Sequence, residues 1–444
     1  MVTFALFAPL AVIYTRADAS FGAQWAKMHC MEDAMSDAER TVLRTLATRW
    51  MELASLPVMS ERRRQWMALN DLHAERPMVL FETDFLENYV TEAELECRDP
   101  FLRDTERRLR WDIRHAEEIG DDMVVEPYLR MYWEISWTDY GVPLLAEHAT
   151  DGQGGQVAYV YEHPLQTPQD VSRLKPRTWR VDRAGTQRHV DQLNDIFGDI
   201  LPVVLHGTGA LHSGLTQDLF KLIGNDNLMM WTFDAPEALH QVMAYLRDDR
   251  IAYYSWMERE GLLGLNSTGW ERVGSGSPGY TTALPQAGGN GQVRLRDLWV
   301  WMESQETTMI SPRMFAEFFL PYMADVCRCF GLVYYGCCEP VHDRWDLVSQ
   351  AIPNVRAVSV SPWCNQDEIG RKLGRRYVYS RKPKAAPISG PAPDWDVLRA
   401  DMEETLAAAR DCNLEFIYRD VYRIGDRERL ARWTQMVRAH IGGR

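Results

Sequence analysis

The chain has 444 residues, 46% of them hydrophobic, with a formal charge of −14 and a pI near 5.3. That length can bury a large core, and the acidic balance argues against an electrostatic grip on nucleic acid or an anionic membrane, which needs a basic footprint. No run is long and apolar enough to span a bilayer.

Eight unevenly spaced cysteines do not suggest a disulfide framework in a chain of this size, so a reducing, cytoplasmic setting is expected. Phe4 to Tyr14 is apolar and Ala17-Asp18-Ala19 is small, but no basic segment precedes them, as a secretory signal would require. Residues 1–34 are therefore expected to be a non-structural extension, with translation starting near Met35. Residues 35–444 read as one domain.

Apolar residues at helical spacing (Val42, Leu43, Leu46, Trp50, Leu53) predict a helix over Ser36 to Leu56, with Ser36 as N-cap and Glu39 three residues on. Ser60 to Leu72 repeats the pattern, with Arg62, Arg63 and Arg64 on a solvated turn. Arg76 to Glu82 reads as a strand, Glu92 to Gly120 as a helix ending at a glycine cap, and Val124 to Arg130 as the next strand. The aromatic-rich region to Val160 reads as a hairpin or excursion.

Pro202 to Gly209 is a β-branched strand with a polar, Gly-rich tip, followed by helices over Leu215 to Ile223 and Pro236 to Glu260. Leu263 to Asn266 is a short strand. The Gly-, Ser- and Pro-rich insertion that follows, residues 267–296, is long enough to be expected as a lid. The strand-helix rhythm then becomes regular. Strands are expected at Leu298 to Glu303, Gly331 to Gly336, Arg356 to Val360, Arg376 to Ser380 and Leu414 to Tyr418, with helices between and after them. Parallel strands joined by helices in this number predict a (β/α)8 TIM barrel, with an open doubly wound sheet as the alternative.

The order of elements resembles the uroporphyrinogen decarboxylase superfamily, which includes corrinoid-dependent methyltransferases and demethylases. The resemblance is carried by the Val203 to Gly209 tip, Ile223-Gly224, the run Asp234 to His240, and the block Glu303 to Pro321 with Ser311-Pro312. The decarboxylase's Arg-x-x-Gly-Arg-Tyr motif does not follow Arg76-Pro77, which disfavours porphyrinogen decarboxylation. Of the zinc set in the thiol-methylating branch, Cys337 fits the first cysteine. Tyr335 stands where the histidine would be, and Val421 lies near the last position.

The resemblance implies methyl transfer, or demethylation, from a small methyl donor to a corrinoid held by a separate protein. No Asp-x-His-x-x-Gly motif for a built-in corrinoid domain is present. The oligomeric state is open, with a homodimer one option. A decarboxylase of some other carboxylated compound and a non-catalytic binding protein are the rival readings.

The chemistry-bearing residues cluster at strand ends, where a parallel barrel presents its site. Cys337 could bind zinc with Glu303, Glu339, His206 or His342, or Cys337 and Cys338 could simply pack as small hydrophobes. Glu303 could serve as a general acid if buried, whereas Glu306 could merely favour the following helix start. His206 could donate to a substrate oxygen, and Asp420 is a further catalytic candidate. Arg381, Lys382, Arg419, Tyr418 and Trp363 are expected to bind substrate, the charged ones by gripping a carboxylate.

Overall fold

A computed structural model describes residues 35–150, 156–207, 210–288 and 291–441. Residues 1–34, on which the start-site and signal-peptide expectations fall, and Thr208-Gly209 lie outside them.

Ser36 begins the first helix, Asp37–Ala54, with a full capping box. Its hydroxyl accepts the Glu39 N–H at 3.2 Å, and the Glu39 carboxylate accepts the Ser36 N–H at 2.9 Å. The second helix, Pro57–Asn70, takes in the three arginines expected on a turn. Arg62 donates to the Met123 carbonyl and Arg63 to Glu126, so the run ties this helix to the segment leading into β2.

The strands, in chain order, are β1 (Met78–Phe81), β2 (Leu129–Met131), β3 (Ile135–Trp137), β4 (Ala146–Thr150), β5 (Gln156–Tyr161), β6 (Trp179–Val181), β7 (Val203–Leu205), β8 (His212–Ser213), β9 (Trp299–Met302), β10 (Leu332–Tyr335), β11 (Val355–Val360), β12 (Val378–Arg381) and β13 (Asn413–Tyr418). Among the described residues β1-β13-β12-β11-β10-β9-β8 form a seven-stranded parallel sheet, and β2 and β7 pair as a separate parallel ribbon. The antiparallel ribbons β3/β6 and β4/β5 form an excursion that runs past the expected limit at Val160 to Val181.

Beside β1, carboxylates stand in for a neighbouring strand. Asp122 and Asp121 accept the Val79 and Phe81 N–H groups, each at 2.8 Å. Leu263 to Asn266 does not form the expected strand. Instead the Asn266 side-chain amide both accepts from and donates to the Trp299 backbone, at 3.0 Å each, doing a strand's work with one side chain.

Both faces of the large sheet are buried, and side chains alternate between them. Val79, Phe81, Val300, Met302, Val333, Tyr335, Phe416 and Tyr418 pack in the larger apolar core with residues of the covering helices. Met78, Leu80, Trp299, Trp301, Tyr334, Ala357, Val378 and Ile417 share a second, inner core with Val273 and Tyr280.

Val273 and Tyr280 belong to the insertion expected as a lid, and here the expectation is corrected. Residues 273–281 are buried in the inner core as a hairpin. Val273 N–H bonds Ser277 O at 2.9 Å, Gly279 N–H bonds Glu271 O at 2.8 Å, and Thr281 N–H bonds Ser267 O at 3.2 Å. The composition that suggested an exposed loop is what lets the hairpin thread between large side chains. A Cβ at Gly274 would fall within the Tyr334 ring, and Gly276 has φ +83°.

Candidate functional site

Strand alternation decides which residues at the ends of the sheet face inward. In β9, Trp299 and Trp301 are inner, so Glu303, two residues beyond Trp301, continues the inner row. By the same count Glu82 follows Leu80, Lys382 follows Ser380, and Arg419 follows Ile417. These residues stand at the C-terminal ends of parallel strands, on one rim with Cys337 after β10.

One group is centred on Glu82. Its carboxylate meets Arg419 Nε at 3.0 Å and Arg272 Nη1 at 3.2 Å. Burial pushes the Glu82 pKa up, opposed by Arg419 and Arg272. Arg272 also pairs with Asp84. Arg419 pairs with Asp420 at 3.3 Å and donates to Ser275 at the hairpin tip.

Next to this group, the Cys337 sulfur lies 3.8 Å from that of Cys338 and 3.9 Å from the Ser275 hydroxyl. Beneath it, Lys382 Nζ donates to Ser380 and lies 5.5 Å from the Tyr334 ring centre. Burial lowers the Lys382 pKa to about 7, while nearby Glu415 opposes the shift.

The second group surrounds Glu303, which is 1% exposed. One oxygen accepts the Gln305 N–H at 3.0 Å; the other lies 3.5 Å from His212 Nε2. Among the described residues neither this oxygen nor His212 Nε2 has a hydrogen-bond partner. Glu306, half-buried nearby, accepts from Thr216 at 2.7 Å and from Gln305 at 3.2 Å.

Burial and then Glu339 push Glu303 up to about 8, and burial and then Glu303 push Glu306 up to about 8. Burial and then Arg250 lower His212 to about 4. Near pH 7 the site therefore holds protonated carboxyls beside a neutral imidazole, a combination suited to giving a proton to a departing group. Trp301 joins the two groups: its ring centroid lies 4.3 Å from that of His212 and 6.0 Å from the Arg419 guanidinium.

A third cluster lies beyond the ends of β2 and β7. Arg130 pairs with Glu271 at 2.5 Å, Tyr132 donates to Glu271 at 3.1 Å, and His206 lies 3.9 Å from it. Burial raises Glu271 to about 7.

Several expected roles change with this geometry. Arg381 is on the outer face of β12, where it meets Asp401, Thr405 and the Val360 and Ser361 carbonyls, so it fastens the sheet to a helix rather than gripping substrate. Tyr418 is also outward, stacked on Phe81 and edge-on to Trp433. Trp363 is 61% exposed rather than enclosed among the inner side chains. The His206 ring shares a 2.8 Å hydrogen bond with the Leu265 carbonyl and stands with the third cluster, apart from Glu303.

Glu339 is spent on backbone: it accepts the Cys337 and Ser304 N–H groups, each at 2.8 Å. Among the described residues no three His, Cys, Asp or Glu side chains converge as metal ligands, so the expected pairing of Cys337 and Glu339 does not grow into a zinc set.

Glu82, His212, Glu271, Arg272 and Ser275 are the residues that sequence reasoning missed. Glu82 ends its strand just as Glu303 does, and that signal was readable. His212 sits in a two-residue strand, and the others lie inside the apparent loop, with no periodic pattern to mark them.

No protein-family model and no curated protein matches this chain. Among solved structures, a methyltransferase from Methanosarcina mazei is similar over 85% of this chain and 98% of its own, with 11% identity and a TM-score of 0.47. A likeness of that depth assigns neither family nor reaction.

Proposed function

We propose that the chain is an acid–base enzyme of (β/α)8 type that transfers a methyl group from a small O- or N-methylated compound to a corrinoid on a separate protein. Closure of the barrel is supported by Asp121 and Asp122 on one side of the β2/β7 ribbon. His206, bonded to Leu265, and Asn266, bonded to Trp299, support it on the other side.

The observation that carries the chemistry is the Glu303 oxygen facing His212 Nε2 at 3.5 Å, both without other hydrogen-bond partners among the described residues. Methyl departure leaves negative charge on oxygen or nitrogen, and a carboxyl still protonated at neutral pH neutralises it. Glu303 holds that proton, His212 and Gln305 orient the carboxyl, and Glu306 keeps a second protonated group beside it. The half-buried faces of His212 and Glu306 admit the substrate.

The corrinoid, when bound, supplies the nucleophile that accepts the methyl group. On the rim face, exposed Trp363 and Tyr422 offer aromatic surface for the carrier. The zinc expectation has no assembled ligand set and enters no step. A decarboxylase would need a cation to grip the substrate carboxylate, and Arg381, one candidate for that grip, is paired with Asp401.

The test is anaerobic incubation with reduced corrinoid and a panel of O- and N-methyl compounds, following methyl-corrinoid formation. Activity that falls by about 100-fold in Glu303→Gln, within the usual range for loss of a general acid, supports the proposal. Release of carbon dioxide from carboxylated compounds without methyl transfer, or full methyl transfer by Glu303→Gln, refutes it.

A further inference from the structure

Cys337 and Cys338 are absorbed by no part of the proposed reaction, yet their setting is built rather than incidental. The sulfurs stand 3.8 Å apart. A disulfide would need about 2.05 Å. To close that gap, the linking peptide would have to rotate, but its carbonyl is held, and so is the N–H of the peptide before it. Glu339 accepts the Cys337 N–H at 2.8 Å, and the Ser359 hydroxyl donates to the Cys337 carbonyl at 2.8 Å. Both partners are themselves buried.

The pair is thus held open, at a separation one large soft atom can bridge without moving the backbone. Arg419 interacts with both thiols and Lys382 with Cys337, but the hydrogen bond from Cys337 and then burial hold the Cys338 pKa well above the usual thiol range, so Cys338 meets a ligand as the thiol. Asp420 is the opposing charge near Cys338, and it is itself paired with Arg419. Cys337 is buried, whereas Cys338 is half-buried and provides the way in.

We infer that Cys337 and Cys338 form a bidentate site for a single thiophilic centre of the trivalent-arsenical class. With an arsenical carrying two hydroxyls, two As–S bonds form and two As–O bonds break. Each thiol proton leaves with a hydroxyl as water, and the arsenic stays trivalent throughout. The site needs neither zinc nor the methyl-transfer chemistry.

Phenylarsine oxide is the probe, added to the purified full chain and followed by native mass spectrometry and calorimetry. The expected result is one adduct per chain, reversed by a small dithiol but not by an equal concentration of monothiol thiols. Affinity should fall at least 100-fold in Cys338→Ser and in Cys337→Ser, while Cys364→Ser and Cys412→Ser bind as the parent does. Far-ultraviolet circular dichroism of each variant confirms that it is folded. Retained one-to-one binding in folded Cys338→Ser would overturn the inference. So would ready closure to an intramolecular disulfide by glutathione disulfide, because the pinned peptide is what keeps the pair open.

Discussion

Replacing Gly274 by alanine tests whether the hairpin truly fills the sheet's inner face. The added Cβ would fall within the ring of Tyr334. Tyr334 cannot step aside: it is fully buried, and its hydroxyl donates to Ser380 at 2.9 Å. The hairpin tip must therefore withdraw, and with it go the Ser275 contacts to Arg419 and Cys337 and the Ser277 bond to Glu415.

Overpacking of this kind costs about 1–3 kcal/mol. Leaving a buried charged group short of a hydrogen bond adds about 1–3 kcal/mol more. The expected loss is thus about 2–6 kcal/mol, measured by urea denaturation with tryptophan fluorescence, to which Trp299 and Trp301 in the same core contribute. Gly390→Ala is the control, since its Cβ would meet nothing closer than 3.4 Å and its φ is −64°. Cys337 should also react faster with a thiol reagent in Gly274→Ala. Equal stability of the two variants, with unchanged thiol reactivity, would refute the buried hairpin.

Other outcomes follow from the rim. Glu303 binds its proton more tightly folded than unfolded, so it lowers stability as pH rises from 4.5 through about 8. Glu303→Gln should therefore gain stability relative to the parent across that window, with little difference below it, as chemical denaturation at a series of pH values would record. Arg381→Met leaves Asp401 without its buried partner, and a loss of about 3–5 kcal/mol is expected. Michaelis constants measured on the remaining folded enzyme should be unchanged, contrary to a substrate-gripping role. Elemental analysis of the purified chain should find zinc well below one per molecule, as the lack of a converging ligand set among the described residues implies.

The parallel sheet was legible because its strands are buried on both faces and appear as short apolar runs such as Leu332–Tyr335 and Val355–Val360. The rim itself was legible for the same reason, since residues just past strand ends share it. What was missed within it is parity. Counting by twos from Ser380 and Ile417 puts Lys382 and Arg419 inward, and Arg381 and Tyr418 outward. The sequence does not mark which row is the inner one, because apolar residues occupy both.

The hairpin was hidden for a different reason. Glycine and serine usually signal exposed turns, but residues 274–279 are small because Tyr334 and Trp299 crowd them. His212 depends on a long-range approach to Glu303, which no local pattern encodes. Asn266 shows the converse: its apolar context suggested a strand, whereas the side-chain amide satisfied the neighbouring strand by itself.

The protonation state of Glu303 bears most directly on the proposed chemistry. Infrared difference spectra between the parent and Glu303→Gln, recorded from pH 5 to pH 10, isolate that one carboxyl. The account predicts a protonated carboxylic-acid band at pH 7 that disappears around pH 8, where burial and Glu339 place the group. A carboxylate band already complete by pH 6 would contradict it.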